Sequence, residues 1–464
     1  MLEFLRTRDL PQLTRPNYVA ELRQMSLWGI VIGSIESSMA SVVASKTFNA
    51  SALLTTVVFA MPVLAYLLNI VWGVVIRGRR RVHMFVVLGS GALLVVGSIG
   101  LTPAMWKPWG GYIFAVQVGL AHVFMSGLVT LRTTMWKANY PQTHRAQIAG
   151  RLHTVSIMLS LLTTAALSAL FDRNPQYYRF VYPLVALVGF ASLGFISRMH
   201  VRGEKGEARR FRARAGANQT GVGRLGLVTG LQEVVGIMWR DRYFGKYMLA
   251  QFLLGSANFF TDPVLVTVFT KQLQFRYFSS TLMLYQIPIV MVLLSIRYWA
   301  KLFDRVGVLR FRVYNSAAWA GSYVCVTLGV ATLDLSGGAL MGPAVAILVL
   351  GRILNGLGRG GGDIAWNLGH LHFAREHQTE LYMSIHVALT GLRGLTMPVL
   401  GWVAHRYLGW ASFGIALALA TAAVVLFHRM AAADGGGGPG SAVRRPEPSS
   451  SGQAYPECSR STGE

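Results

Sequence analysis

Cysteine is almost missing. Cys325 and Cys458 are the two in 464 residues. One sits in an apolar run and the other in a polar tail, so neither a disulfide framework nor a zinc spacing can organise the fold. Charge is scarce too. Asp, Glu, Lys and Arg make up 13% of the chain, about half the usual share, and a soluble protein of this length needs more charged surface than that. Acid is the scarcer sign, with 19 acidic against 43 basic residues. No glycine-rich phosphate loop is present, which removes nucleotide-driven work. Residues 1–24 hold Arg6, Arg8, Asp9, Arg15, Pro16 and Arg23 and have no apolar core, so they do not read as a cleaved leader.

What is abundant is apolar sequence, at 53% of residues. A helix needs about 20 apolar residues to cross a bilayer. That rule divides the chain into twelve runs: 25–46, 51–76, 83–103, 110–135, 152–171, 178–197, 243–270, 277–298, 313–333, 339–362, 381–404 and 408–428. The expected fold is an all-α polytopic membrane protein of twelve transmembrane helices in two pseudo-symmetric six-helix bundles. The expected segments are a cytoplasmic segment 1–24, a first bundle 25–197, a basic linker with an interfacial helix 198–242, a second bundle 243–428 and a disordered tail 429–464.

The net charge of +24 has a position. Residues 198–224 are strongly basic, and alone they look like a nucleic-acid patch. Arg77, Arg79, Arg80 and Arg81, then Lys137, Arg145 and Arg151, then Lys301, Arg305, Arg310 and Arg312 crowd alternate loops, while the intervening loops are nearly bare. This is the positive-inside pattern. It puts both termini in the cytoplasm and assigns the basic linker to membrane orientation and anionic lipid headgroups rather than to nucleic acid. In 225–239, Val228, Leu231, Val235 and Met238 recur at helical spacing, as in a helix lying on the membrane surface.

The halves share landmarks in order. Gly33-Ser34-Ile35-Glu36 parallels Gly255-Ser256-Ala257-Asn258, and Trp72-Gly73 parallels Trp299-Ala300. Internal repeats of this size are common in transporters. The turn Ala300-Lys301-Leu302-Phe303-Asp304-Arg305-Val306-Gly307, followed by Arg310, resembles the signature between spans eight and nine of the major facilitator superfamily. Gly73 with the basic run at 77–81 resembles its first copy without the acid, and Pro141 with Arg145 resembles a further signature. The resemblance implies a conformational switch in which Asp304, Arg305, Gly307, Gly73 and Arg145 take part, with Asp304 stabilising the outward-open state. The spacing Gly394-x-x-x-Pro398-x-x-Gly401 is similar to an antiporter signature, but it stands in span eleven instead of five and supports no antiport conclusion.

Ionisable groups at membrane depth are functional candidates, because burying a charge in lipid is costly. Glu36, Asp262, Arg352, Arg359, Asp363 and Arg393 all fall in or beside apolar runs. Glu36 is the candidate for proton coupling, with a structural carboxylate as the competing reading. Asn258 and Asp262 lie one turn apart as a polar wall, and Pro263 frees a carbonyl there. Arg393 is expected to neutralise Glu36 or Asp363, or to meet an anionic substrate group. Asn355 is a further candidate. His370, His372 and His377 are spaced poorly for a metal, and no cofactor is expected.

The leading expectation is a secondary transporter of a small molecule working by alternating access, driven by an ion gradient such as protons or by the solute's own gradient. Two others stand beside it. One is a polytopic transferase built on Asp363, His370 and His372; the other is a non-transporting receptor or assembly factor. The sequence leaves open the substrate, the direction and the oligomeric state.

Overall fold

The computed structural model describes residues 10–68, 72, 75, 76, 79–204, 206, 236, 238–373 and 379–435. Gly73, Arg77, Arg375, His377 and nearly all of 207–237 lie outside them. Every described element is helical, as a lipid environment demands, since a helix satisfies its own backbone polar groups. The first half contains α1 (Arg15–Ile35), α2 (Ser37–Lys46), α3 (Ala52–Tyr66), α4 (Arg81–Ser98), α5 (Trp109–Asn139), α6 (Gln142–Arg173) and α7 (Tyr178–Ile196). The second contains α8 (Arg242–Thr267), α9 (Tyr277–Thr281), α10 (Ile287–Leu335), α11 (Met341–Leu368), α12 (Thr379–Leu408) and α13 (Ser412–Gly435).

Nine stretches among the described residues are long and apolar enough to cross a bilayer. Two exceed one crossing: Tyr277–Leu335 has 59 residues and Ile385–Asp434 has 50. The first is broken at Gly307, whose φ of 74° and ψ of 170° suit glycine almost alone. The second is broken at Gly409, with φ 53°. Ala52–Tyr66 is apolar but only 15 residues long.

Several boundaries differ from expectation, among them the start of α6 at Gln142 instead of 152. The first helix starts at Arg15, not 25, because Pro16 sits in its first turn, where a missing N–H costs nothing. Tyr18, Glu21 and Gln24 are consequently buried. The last helix runs on to Gly435, past the expected end at 428.

Within the first half, α1 packs on α6 and α7, and α4 on α5 and α7. Within the second, α10 packs on α11 and α13, and α8 on α12 and α13. The paired landmarks make paired contacts. A Cβ at Gly33 would meet the Ser160 carbonyl of α6, and one at Gly255 would meet the Arg393 side chain of α12. Trp72 packs over Gly127 of α5, and Trp299 packs over Gly361 of α11. The repeat is therefore visible in packing as well as in sequence. Between the halves, α3 meets α12, with Val63 and Leu67 filling the space left by Gly394 and Gly391.

Candidate functional site

The first span is broken at Glu36, whose φ of −55° and ψ of 146° are not helical. A break inside a membrane leaves orphan carbonyls on one side and orphan N–H groups on the other. Both sets are met. Thr164 Oγ1 donates to the Gly33 carbonyl at 2.8 Å, and Tyr182 OH to that of Ser34 at 3.3 Å. The Glu36 carboxylate accepts from Ser38 N at 2.9 Å and Met39 N at 3.3 Å. Glu36 therefore caps the half-helix α2, where the helix dipole also favours a negative charge.

Across from this break lies α11. Arg352, Asn355, Arg359 and Asp363 recur every three or four residues, so they form one stripe along it. Arg352 is 2% exposed. Its Nη1 lies 2.8 Å from Asp262 Oδ1. Its Nε donates to the Met283 carbonyl at 2.8 Å and its Nη2 to that of Leu284 at 3.0 Å. Those carbonyls are free for a local reason. Residues Leu282–Gln286 form a π turn, and Pro288 has no N–H to return to either of them. One guanidinium thus joins α8, the π turn and α11.

Arg359 stands within electrostatic reach of Glu36, Asp262, Asp363 and Tyr285. Tyr285 OH shares a 2.9 Å hydrogen bond with Ser160 Oγ of the first half. The result is a cluster of Glu36, Asp262, Asp363, Arg352 and Arg359 with charges of both signs, drawn from both halves. Asn355 is buried between the two arginines. Asn258, one turn before Asp262, holds a buried Oδ1 with no hydrogen-bond partner.

Arg393 does not join this cluster. It donates to the Gln251 carbonyl at 2.7 Å and to Thr390 Oγ1 at 2.8 Å. The expected partnership with Glu36 or Asp363 falls to Arg359 instead, because Arg393 points toward α8 through the space that Gly255 leaves.

One cluster is absent from the sequence-based expectations. Glu21, 1% exposed, accepts from Trp136 Nε1 at 2.5 Å and Tyr140 OH at 2.7 Å. Arg132 Nε stands 3.7 Å away. Arg132 Nη2 also donates to Gln24 Oε1 at 2.9 Å. Pro16 is the signal for it, since a helix start there puts Glu21 and Gln24 one turn apart inside the bundle.

Hydrogen bonds that cross between the halves gather at the Lys46 end. Ser45 Oγ and Thr270 Oγ1 are 2.9 Å apart, as are Thr47 Oγ1 and Tyr277 OH. Lys271 Nζ donates to the Ala50 carbonyl at 3.0 Å. Asp172 caps α9, accepting from Tyr277 N at 2.6 Å and Phe278 N at 3.2 Å, with Arg276 at 3.7 Å.

No sequence-family description matches this chain, and no curated protein does. Solved structures do match. A POT family transporter in complex with a thioalcohol-conjugated peptide aligns at TM-score 0.65 and 13% identity, covering 92% of this chain and 96% of that one. The D-xylose-proton symporter aligns at 0.61 and 14%, covering 90% and 98%. The nucleoside transporter NupG aligns at 0.54 and 15%, covering 91% and 99%. This chain has the major facilitator fold.

Within the major facilitator fold, the turn at Gly307 lies between the two parts of α10. Asp304 and Arg305 are exposed there. No hydrogen bond or ion pair joins Asp304 to another described residue in this conformation. Arg145 Nη2 donates to the carbonyls of Tyr140 at 3.1 Å and Lys137 at 3.3 Å, closing the C-terminal end of α5. Gly73 lies outside the described residues.

Proposed function

We propose that this protein is a secondary transporter of a small molecule. It works by alternating access between a first bundle at 25–197 and a second at 243–428, twelve spans in all. The nine apolar stretches give that count when the two long ones are each taken as two crossings and Ala52–Tyr66 as one. Alternating charge in the loops favours both termini on the cytoplasmic side of a plasma membrane.

The observation that carries this reading is the broken helix at Glu36 facing the α11 arginine stripe of the other half. Discontinuous helices with ionisable groups between repeats are a common setting for solute and ion sites. Glu36 has two roles in it. It caps α2, and it faces Arg359 across the boundary between halves. Protonating it weakens both interactions at once, so a proton bias on the conformation follows from the local chemistry. The D-xylose-proton symporter among the structural neighbours favours the same coupling. The cross-half bonds around Asp172 and Tyr277 close the end opposite the cytoplasmic start of the first span, so the conformation is read as inward-facing. The basic charge of the linker favours anionic lipid headgroups as its surroundings.

The test is solute uptake into sealed vesicles holding the purified chain, over a broad panel, with and without an imposed proton gradient. Gradient-stimulated movement that disappears in Glu36→Gln is the expected result. Absence of movement across the panel overturns the transport reading. Movement indifferent to both the gradient and Glu36→Gln overturns proton coupling.

A further inference from the structure

A second group of buried charges lies within the second half, apart from the Glu36 cluster, and it is all of one sign. Arg312 is 1% exposed and Arg393 4%. Arg312 Nη1 donates to Asn315 Oδ1 at 2.9 Å, its Nη2 donates to Gln251 Oε1, and its guanidinium lies 4.8 Å from the Phe427 ring centre. Arg393 donates to the Gln251 carbonyl and to Thr390, and sits 5.9 Å from the Phe259 ring centre. A single residue, Gln251, thus touches both arginines, through its side chain and its backbone. The two guanidinium groups are within electrostatic reach of each other. Their partners are amides, a carbonyl, a hydroxyl and aromatic faces, all neutral. Among the described residues, neither arginine has a carboxylate partner.

The donors are also incompletely used. Arg312 Nε and Arg393 Nε are buried with no hydrogen-bond partner, as are His386 Nε2 and His370 Nδ1. His386 lies within electrostatic reach of both arginines and of His370. Sequence fixes where the Arg393 guanidinium lies: it occupies the room that Gly255 leaves, and a Cβ there would collide with its Nη1. Arginine cannot shed its proton to escape burial. Two fixed positive charges and several idle donors in a dry interior form the complement of an anion with oxygen acceptors, and a guanidinium fork fits carboxylate and phosphate alike. Arg352 and Arg359 differ, because acids already answer them.

We infer that Arg312 and Arg393, with His386 and His370 beside them, form a binding site for a small oxyanion, the carboxylate or phosphate group of the transported solute. The assignment of that group to the solute rests on the transport reading above; the anion site itself does not.

The experiment is thermal unfolding of the full chain purified in detergent. Acetate or inorganic phosphate is titrated at ionic strength held constant with sodium chloride, whose anion has no oxygen acceptors. A ligand that binds only the folded state raises the midpoint in a saturable way. The expected result is a saturable rise of several degrees with at least one probe. That rise is lost in Arg393→Gln and in Gly255→Ala, and retained in Arg406→Gln, which lies far along α12 beside Trp402. Should Arg393→Gln fail to fold, Gly255→Ala decides, since it keeps both charges and only displaces one. Response to phosphate alone assigns the phosphate class, and response to acetate alone the carboxylate class. No saturable rise, or an equal rise in every variant, overturns the site. The measurement uses no gradient. Lost solute flux with an intact anion response therefore overturns the transport reading alone, and intact flux with no anion response overturns this site alone.

Discussion

Arg352 and Arg312 are the same side chain at nearly the same burial, 2% and 1% exposed, in opposite electrical surroundings. Arg352 meets Asp262 and two carbonyls that the π turn and Pro288 release. Arg312 meets Asn315, Gln251 and the face of Phe427, and among the described residues no acid. The first arrangement is internally complete and ties helices together. The second is complete only when something negative arrives. Burial alone does not separate a structural arginine from a binding one; the inventory of counter-charges does.

Substitution breaks the comparison most sharply at Arg352. Arg352→Leu leaves Asp262 without its partner and two carbonyls unanswered, a loss of about 3–5 kcal/mol by the cost of stranding one member of a buried pair. Thermal unfolding in detergent measures it, and the double variant with Asp262→Leu recovers a large part. Arg312→Leu in anion-free buffer costs less than half as much, because removing an uncompensated charge relieves repulsion while it loses neutral hydrogen bonds. Equal losses in the two variants would contradict the contrast.

Smaller effects test the boundary between the halves. Asp172→Ala removes the cap of α9 and costs about 1 kcal/mol. It also loosens the closed end, so the distance between spin labels placed at positions 46 and 276 broadens toward longer values. Unchanged distances would show that Asp172 is a cap and nothing more. Glu36→Gln moves stability least, by roughly a few tenths of a kcal/mol, since the amide oxygen still accepts from Ser38 and Met39. Its effect is expected in gradient-driven uptake, with a loss of about tenfold or more if Glu36 carries the proton. A large stability loss with normal uptake would make Glu36 a structural cap.

Much of this is legible in the chain. Glu36, Asp262, Asp363 and Arg393 stand out as charges in or beside apolar runs, and Gly307 stands out through the turn around it. Arg352 and Arg359 stand out in the same way, but which acid each one faces does not. Spacing along a helix fixes which residues share a face, but not which face meets which neighbour. Sequence alone therefore aims Arg393 at Glu36 or Asp363, when Arg359 is the residue that faces them. It places Arg312 among the loop charges, yet its helix turns it inward among Gln251, Asn315 and Phe427. It leaves Glu21 in a segment before the first span, because an apolar count begins too late to admit it. Asp172 draws no attention, since an acid at a span end looks merely hydrated until the α9 N–H groups are brought to it.

The sequence by itself determined the helical membrane class, the repeated plan and the major facilitator resemblance. These follow from how apolar length, charge alternation and ordered landmarks are distributed along one dimension. Tertiary structure alone decided the pairing of charges, and with it which buried arginine is answered by an acid and which is not. The reason is physical: the energy of a buried charge depends on the few ångströms around it. Those ångströms are filled by residues distant in the chain, Met283 and Asp262 around Arg352, Gln251 and Phe427 around Arg312.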